Sequence, residues 1–181
     1  LSMKSEIEFP ELRPELGERV DVTVRAEKVP QVLGCVLDSA GNYQAAKGKL
    51  LFEVDGVARY LAEDGIRIGI ERVKGASADD VRLFMLGSVL GAVLMQREHL
   101  VLHGSVVSFA GKAVAFVGDS GLGISTLAAS LVKRGMALVS DDICSIRDRK
   151  VHPGFPQSKL WLDSLKWVGK QADEYRTIRP G

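Results

Sequence analysis

GDSGLGIST, residues 118–126, carries glycines at positions 118, 121 and 123 and sits between two apolar stretches. The spacing is that of a loop that wraps phosphate: Gly, four residues, then Gly, a lysine and Ser or Thr. Gly118, Gly123 and Ser125 occupy their places, but Ile124 stands where the lysine belongs. The glycines allow tight turns that present main-chain N–H groups to an anion. A helix starting just after them adds the positive end of its dipole. These donors survive the loss of lysine, and Ser125 retains a hydroxyl of the kind that ligates Mg²⁺. The nine residues Gly118, Asp119, Ser120, Gly121, Leu122, Gly123, Ile124, Ser125 and Thr126 are therefore the candidate cradle for a nucleotide's phosphates.

The missing lysine has a size. A hydrogen bond to a charged group contributes about 1.5–3 kcal/mol net, which is roughly 10- to 100-fold in affinity. A donor acting on charge that develops during reaction is worth about 100- to 1,000-fold in rate. Weak binding with poor turnover is expected.

The loop's flanks set the fold class. LVLHGSVVSFAGKAVAFVG, 100–118, reads as two strands joined by a turn at Ala110-Gly111-Lys112. AVAFV, 113–117, is continuously apolar, as a strand covered on both faces would be. STLAASLVKRG reads as a helix ending at Gly135, and MALVS, 136–140, as the next strand. Strand, loop, helix and strand form a βαβ unit, so this half is α/β. Asp141 and Asp142 follow that last strand, and paired carboxylates there suit Mg²⁺ binding and activation of a hydroxyl. His103, in LHGS, is a candidate proton relay or phosphate contact. His99 and His152 read as surface residues.

Residues 1 to about 72 read differently. Val20, Val22 and Val24 alternate with polar residues, as do Ile66, Ile68 and Ile70, which predicts half-buried antiparallel strands. Turn signals fall at SAGN (39–42), VDGV (54–57) and EDG (63–65). Ser77 and Asp80 mark a helix start, with the helix running to about Arg97. The reading divides the chain into a β-rich N-terminal domain, 1–76, and an α/β domain, 77–181. The abrupt stop at RTIRPG suggests that the second domain continues in a longer protein.

Composition narrows the function. A net charge of +1, with Lys and Arg scattered, argues against nucleic acid as a partner. The apolar run FMLGSVLGAVLM, 84–95, is shorter than the roughly 20 residues that span a bilayer, so no membrane is expected. Cys35 and Cys144 lie far apart and suit reduced thiols in a cytoplasmic protein.

LHGSVV, GDSGLGIST and LVKRGMALVSDD, in that order, resemble the catalytic domain of the HPr serine kinase/phosphorylase family, a P-loop family. VHPGFPQSKLW, 151–161, resembles the segment that follows there. The resemblance implies a P-loop HPr-kinase-like catalytic domain behind the small β-rich domain. It implies a Mg-dependent kinase that uses ATP or another purine nucleotide on a serine hydroxyl of a protein or peptide; a homo-oligomer is compatible with it. By matching position, Gly118 to Ser125 would cradle the β-phosphate, and Ser125 with one of Asp141 and Asp142 would bind Mg²⁺. Asp142 is taken for that metal role here, though the resemblance leaves open which aspartate is the general base. His103 would stand near the transferred phosphate. Ile124 departs from the family pattern and impairs the expected activity. The alternative is a catalytically inactive nucleotide sensor or scaffold. A third reading brings the missing cation from Lys159 or a partner chain.

Overall fold

Residues 1–12, 19–119 and 121–154 are described by a computed structural model of the chain. The fold is mixed α/β, and main-chain contacts divide it into two units, Leu1–Glu98 and His99–Gly181. The helical segment after Ser77 therefore groups with the N-terminal strands rather than with the loop.

In the first unit seven strands form one sheet: β1 (Met3–Ser5), β2 (Val22–Ala26), β3 (Asp38–Ala40), β4 (Tyr43–Ala46), β5 (Lys49–Val54), β6 (Ala58–Glu63) and β7 (Arg67–Arg72). Their order is β1-β2-β7-β6-β5-β4-β3. The turns at 41–42, 55–57 and 64–66 fall inside or beside the segments predicted from Gly, Asn and Asp. The expectation of purely antiparallel pairing is corrected: β1 and β7 both run parallel to β2. Alternation reports which face of a strand is buried, and it does so whichever way the neighbour runs. Val20 and Ile66 also fall outside the strands and are exposed, whereas Val22, Val24, Ile68 and Ile70 are buried.

This sheet is covered on both faces. Phe52 and Tyr60 are cross-strand partners, and Phe52 also lies against Phe84, with ring centroids 6.2 Å apart. Tyr60 donates its hydroxyl to the Val81 carbonyl at 3.0 Å, tying the sheet to the helix above it. On the other face Leu51 and Leu61 pack with Val29 and Leu33. The helical segment comprises α1 (Ala78–Phe84), a π-helical stretch (Met85–Val89) and α2 (Leu90–Gln96). Ser77 caps α1, its Oγ accepting from the Asp79 N–H. Met85, Val89 and Val93 are fully buried and Ser88 is exposed, so the apolar run serves as a core helix. No helix among the described residues is long and apolar enough to cross a membrane.

The second unit is built around β8 (Leu100–Phe109). Along one edge, β9 (Lys112–Val117) pairs antiparallel with its C-terminal half. Along the other edge run first β10 (Ala137–Ser140) and then β11 (Ile143–Arg147), both antiparallel to β8. β12 (Lys150–His152) pairs with β11. The helix α3 (Ile124–Lys133) connects β9 to β10. Since β9 and β10 are each antiparallel to β8, they are parallel to one another, and β8 lies between them. The βαβ unit is thus a split one.

One expectation for this unit is corrected. AVAFV was expected to be covered on both faces, but Val114 is 52% and Val117 54% exposed. Among the described residues β8 is the only strand paired with β9, so the apolarity of the run exceeds its cover.

Candidate functional site

The site is assembled at an interruption in a ladder. β10 and β11 follow the same edge of β8, and Asp141 and Asp142 lie in the gap between them. The register shifts between Leu138 and Ser140, just before the gap. Asp142 adopts φ 79°, a left-handed conformation that a non-glycine residue seldom takes. The chain thereby turns out of the strand for two residues and re-enters it, aiming the two carboxylates differently.

Asp141 points inward and is 3% exposed. Its Oδ1 accepts from the Ser125 hydroxyl at 3.1 Å and from the Ser105 hydroxyl in a shorter bond. A buried carboxylate is tolerated only when donors replace the water it has lost, and hydroxyls close to it do so. Asp142 lies nearer the surface. Its carbonyl accepts from the Gly104 N–H at 3.2 Å and from His103 Nδ1 at 2.9 Å. His103 Nδ1 is also 3.3 Å from Asp142 Oδ1. A carbonyl can only accept, so Nδ1 carries a proton toward it, and in the tautomer with that single ring proton Nε2 is the acceptor. His103 is exposed. The close approach of β9 depends on Gly104: a Cβ there would lie 2.2 Å from the Phe116 carbonyl oxygen.

The loop enters from β9. Gly121 and Gly123 have φ of 92° and 78°, left-handed values that make glycine the fitting residue at both points. The Leu122 N–H donates to the Asp119 carbonyl at 3.3 Å. Gly123 caps α3, and the Leu127 N–H donates back to its carbonyl at 2.8 Å. The N–H groups of the first helical turn have no carbonyl to meet within the helix. Ile124, Ser125 and Thr126 stand in this turn, half-buried, while Asp119 is exposed. Ile124 does not reach out as a lysine would. Its Cδ1 lies 3.2 Å from where a Cβ on Gly118 would sit, and Leu122 Cδ1 comes equally near at 3.1 Å. Ser120 lies outside the described residues, as do Lys159 and positions 155–161 of the VHPGFPQSKLW segment.

The structure therefore joins Ser125 to Asp141, and His103 to Asp142. Ser105, not singled out from sequence, belongs to the first group. Its signal was a lone hydroxyl within the apolar strand VLHGSVV. His99, expected at the surface, is half-buried. Its Nδ1 lies 2.7 Å from Ser145 Oγ, and its ring meets His152 edge-on at 5.0 Å. Cys144 is fully buried, and burial pushes its thiol up from the ordinary range, which makes it an inert core residue.

The donor set fits Mg²⁺. Ser125 and Asp141, joined by a hydrogen bond, offer hard oxygen atoms, and no group of three or more His, Cys, Asp or Glu side chains forms a closed metal cage among the described residues. Mg²⁺ characteristically takes one or two carboxylates and fills its remaining positions with phosphate oxygens and water.

Residues 95–158 match the family model described as the HPr Serine kinase C-terminal domain. Among the curated proteins that align with parts of the chain are three HPr kinase/phosphorylases. That of Mycoplasmopsis pulmonis is 42% identical over 59 residues, 32% of this chain and 19% of the relative. That of Chlorobium limicola is 47% identical over 49 residues, 27% of this chain and 15% of the relative. That of Chlorobium phaeovibrioides is 51% identical over 45 residues, 25% of this chain and 14% of the relative. The aligned stretches thus span less than a fifth of these relatives' length. No solved structure matches the chain. In this region the chain is HPr-kinase-like.

Proposed function

We propose that this chain, HPr-kinase-like over residues 95–158, binds a purine nucleotide with Mg²⁺ at the 118–126 loop and acts as a weak kinase of a serine on a protein or peptide. The observation that carries the reading is the 3.1 Å hydrogen bond from Ser125 to Asp141, which joins the start of α3 to the gap between β10 and β11. With its O–H donated in a hydrogen bond to Asp141, Ser125 Oγ keeps its lone pairs for a cation. Asp141 holds that serine in place. Mg²⁺, when bound, supplies positive charge against the phosphate oxygens.

Main-chain N–H groups from Gly121 to Thr126 hold the phosphates. Asp142 and His103 form the second group. The Nδ1 proton of His103 is committed to Asp142, so His103 Nε2 and the Asp142 carboxylate are the two acceptors for the proton of an incoming serine hydroxyl. This assignment moves the metal-side role from Asp142 to Asp141 and gives Asp142 the role of base. ATP is the natural first substrate to test, and the acceptor is a protein or peptide serine.

A second reading is a nucleotide sensor or scaffold without turnover. The apolar Ile124 at the lysine position, with its Cδ1 beside Gly118, favours it, because that position brings no cation to the phosphates. Titration calorimetry with Mg-ATP on the full chain and on Ile124→Lys, followed by a phosphotransfer assay on serine peptides, separates the two. The kinase reading expects measurable binding by the parent, about 10- to 100-fold tighter binding by Ile124→Lys, and transfer that rises in the variant. Binding without transfer in both proteins supports the sensor. Binding by neither overturns the nucleotide site.

A further inference from the structure

Ser105 is 1% exposed in the middle of β8, between Gly104 and Val106. A hydroxyl buried in an apolar strand is costly unless it is satisfied. This one is satisfied by Asp141 Oδ1, the same oxygen that accepts from Ser125. Ser105 lies on β8 directly across from the gap that holds Asp141, between the Val106↔Ser140 and His103↔Ile143 pairs. Its hydroxyl reaches the carboxylate from the sheet, while that of Ser125 reaches it from the helix. From this geometry we infer that Ser105 is a positioning residue: by holding Asp141 Oδ1 on the sheet side, it keeps the Ser125 proton engaged and the Ser125 oxygen turned to the loop for a divalent cation.

The inference rests on the nucleotide reading of the loop and adds to it a specific route. Two donors on one carboxylate oxygen fix both the position and the plane of the group more tightly than one can. Without Ser105 the carboxylate rotates about its own axis, and the Ser125 hydroxyl is no longer held with its lone pairs facing outward. Main-chain phosphate contacts do not pass through Asp141. The loss should therefore appear in metal-dependent affinity and leave metal-free affinity alone.

The test compares the full parent chain with Ser105→Ala, Ser105→Cys and Ser105→Thr. Each is titrated with ATP in excess Mg²⁺ and with ATP in EDTA, after circular dichroism shows that it is folded. Ser105→Ala is expected to weaken Mg-ATP binding about 10-fold, the loss expected for one hydrogen bond to a charged group. Affinity for ATP in EDTA is expected to stay at the parental value, and Ser105→Thr, which retains a hydroxyl, should restore binding with Mg²⁺. If the alanine variant does not fold, the cysteine variant decides, since it keeps the volume with a much weaker donor. Parental Mg-ATP affinity in the loss variants overturns the inference. An equal loss with and without Mg²⁺ also overturns it, because it marks Ser105 as support for the strand alone. A parent chain whose ATP affinity does not depend on Mg²⁺ overturns the functional reading itself and the inference with it, and the parent titrations alone reveal that case.

Discussion

The two units bury different chemistry. In the first, the largest fully buried side chains among the described residues are Val22, Val24, Tyr60, Ile68, Ile70, Val81, Met85, Val89 and Val93, and Arg82 is the one buried charged or polar residue there. Arg82 is paired with Glu11 at 3.0 Å and with Asp79. Among the described residues of the second unit, the buried apolar side chains are Val106, Val107, Ala128 and Cys144, and they are matched in number by Ser105, Ser140, Asp141 and Ser145. A core made of hydrocarbon stabilises a fold by area removed from water. Hydroxyls and a carboxylate in a core stabilise much less and call for partners, which Ser105, Asp141 and Ser145 have, whereas Ser140 Oγ meets none among the described residues.

Three substitutions break or sharpen this contrast, taken from the largest effect to the smallest. Ile68→Ala removes a fully buried side chain from the hydrocarbon core and should destabilise the first unit by about 2–5 kcal/mol, read as a lowered denaturant midpoint. If nucleotide affinity falls with it, the two cores are not energetically distinct and the contrast fails. Gly104→Ala acts in the second unit, where the new methyl meets the Phe116 carbonyl at 2.2 Å. The cost should be about 1–3 kcal/mol, with His103 displaced from Asp142. Alkylation of Cys144, buried in the parent, should accelerate while that of exposed Cys35 does not change; unchanged Cys144 labelling would show that β8 and β9 accommodate the methyl. Ser77→Ala removes the cap of α1 and should cost about 1 kcal/mol without changing the m-value. A larger loss would mean that the helix depends on its cap more than on Met85, Val89 and Val93.

The candidate site was only partly legible in the sequence. The glycines, Ser125, the two aspartates and His103 could be found because their chemistry is local: a loop needs left-handed backbone, and the structure has it at Gly121 and Gly123. The pairing among them was hidden. Asp141 and Asp142 are adjacent in sequence and equivalent in composition, yet a turn with φ 79° at Asp142 sends one carboxylate to Ser125 and leaves the other beside His103. Ser105 was missed because a serine in an apolar strand has no periodic signature, and its partner is 36 residues away. His99 was misplaced at the surface for the same reason, since Ser145, its partner, comes from β11.

By itself the sequence determined the elements: strands from period-two alternation, turns from Gly, Asn and Asp, the Ser77 helix start, and a glycine loop between strand and helix. These follow from interactions within a few residues, where backbone conformational limits and side-chain period act directly. Tertiary structure alone decided that β2 and β7 run parallel, that β8 separates β9 from β10, and which hydroxyls meet which aspartate. Those outcomes depend on pairings between segments tens of residues apart, and alternation along a strand is the same whichever neighbour it finds.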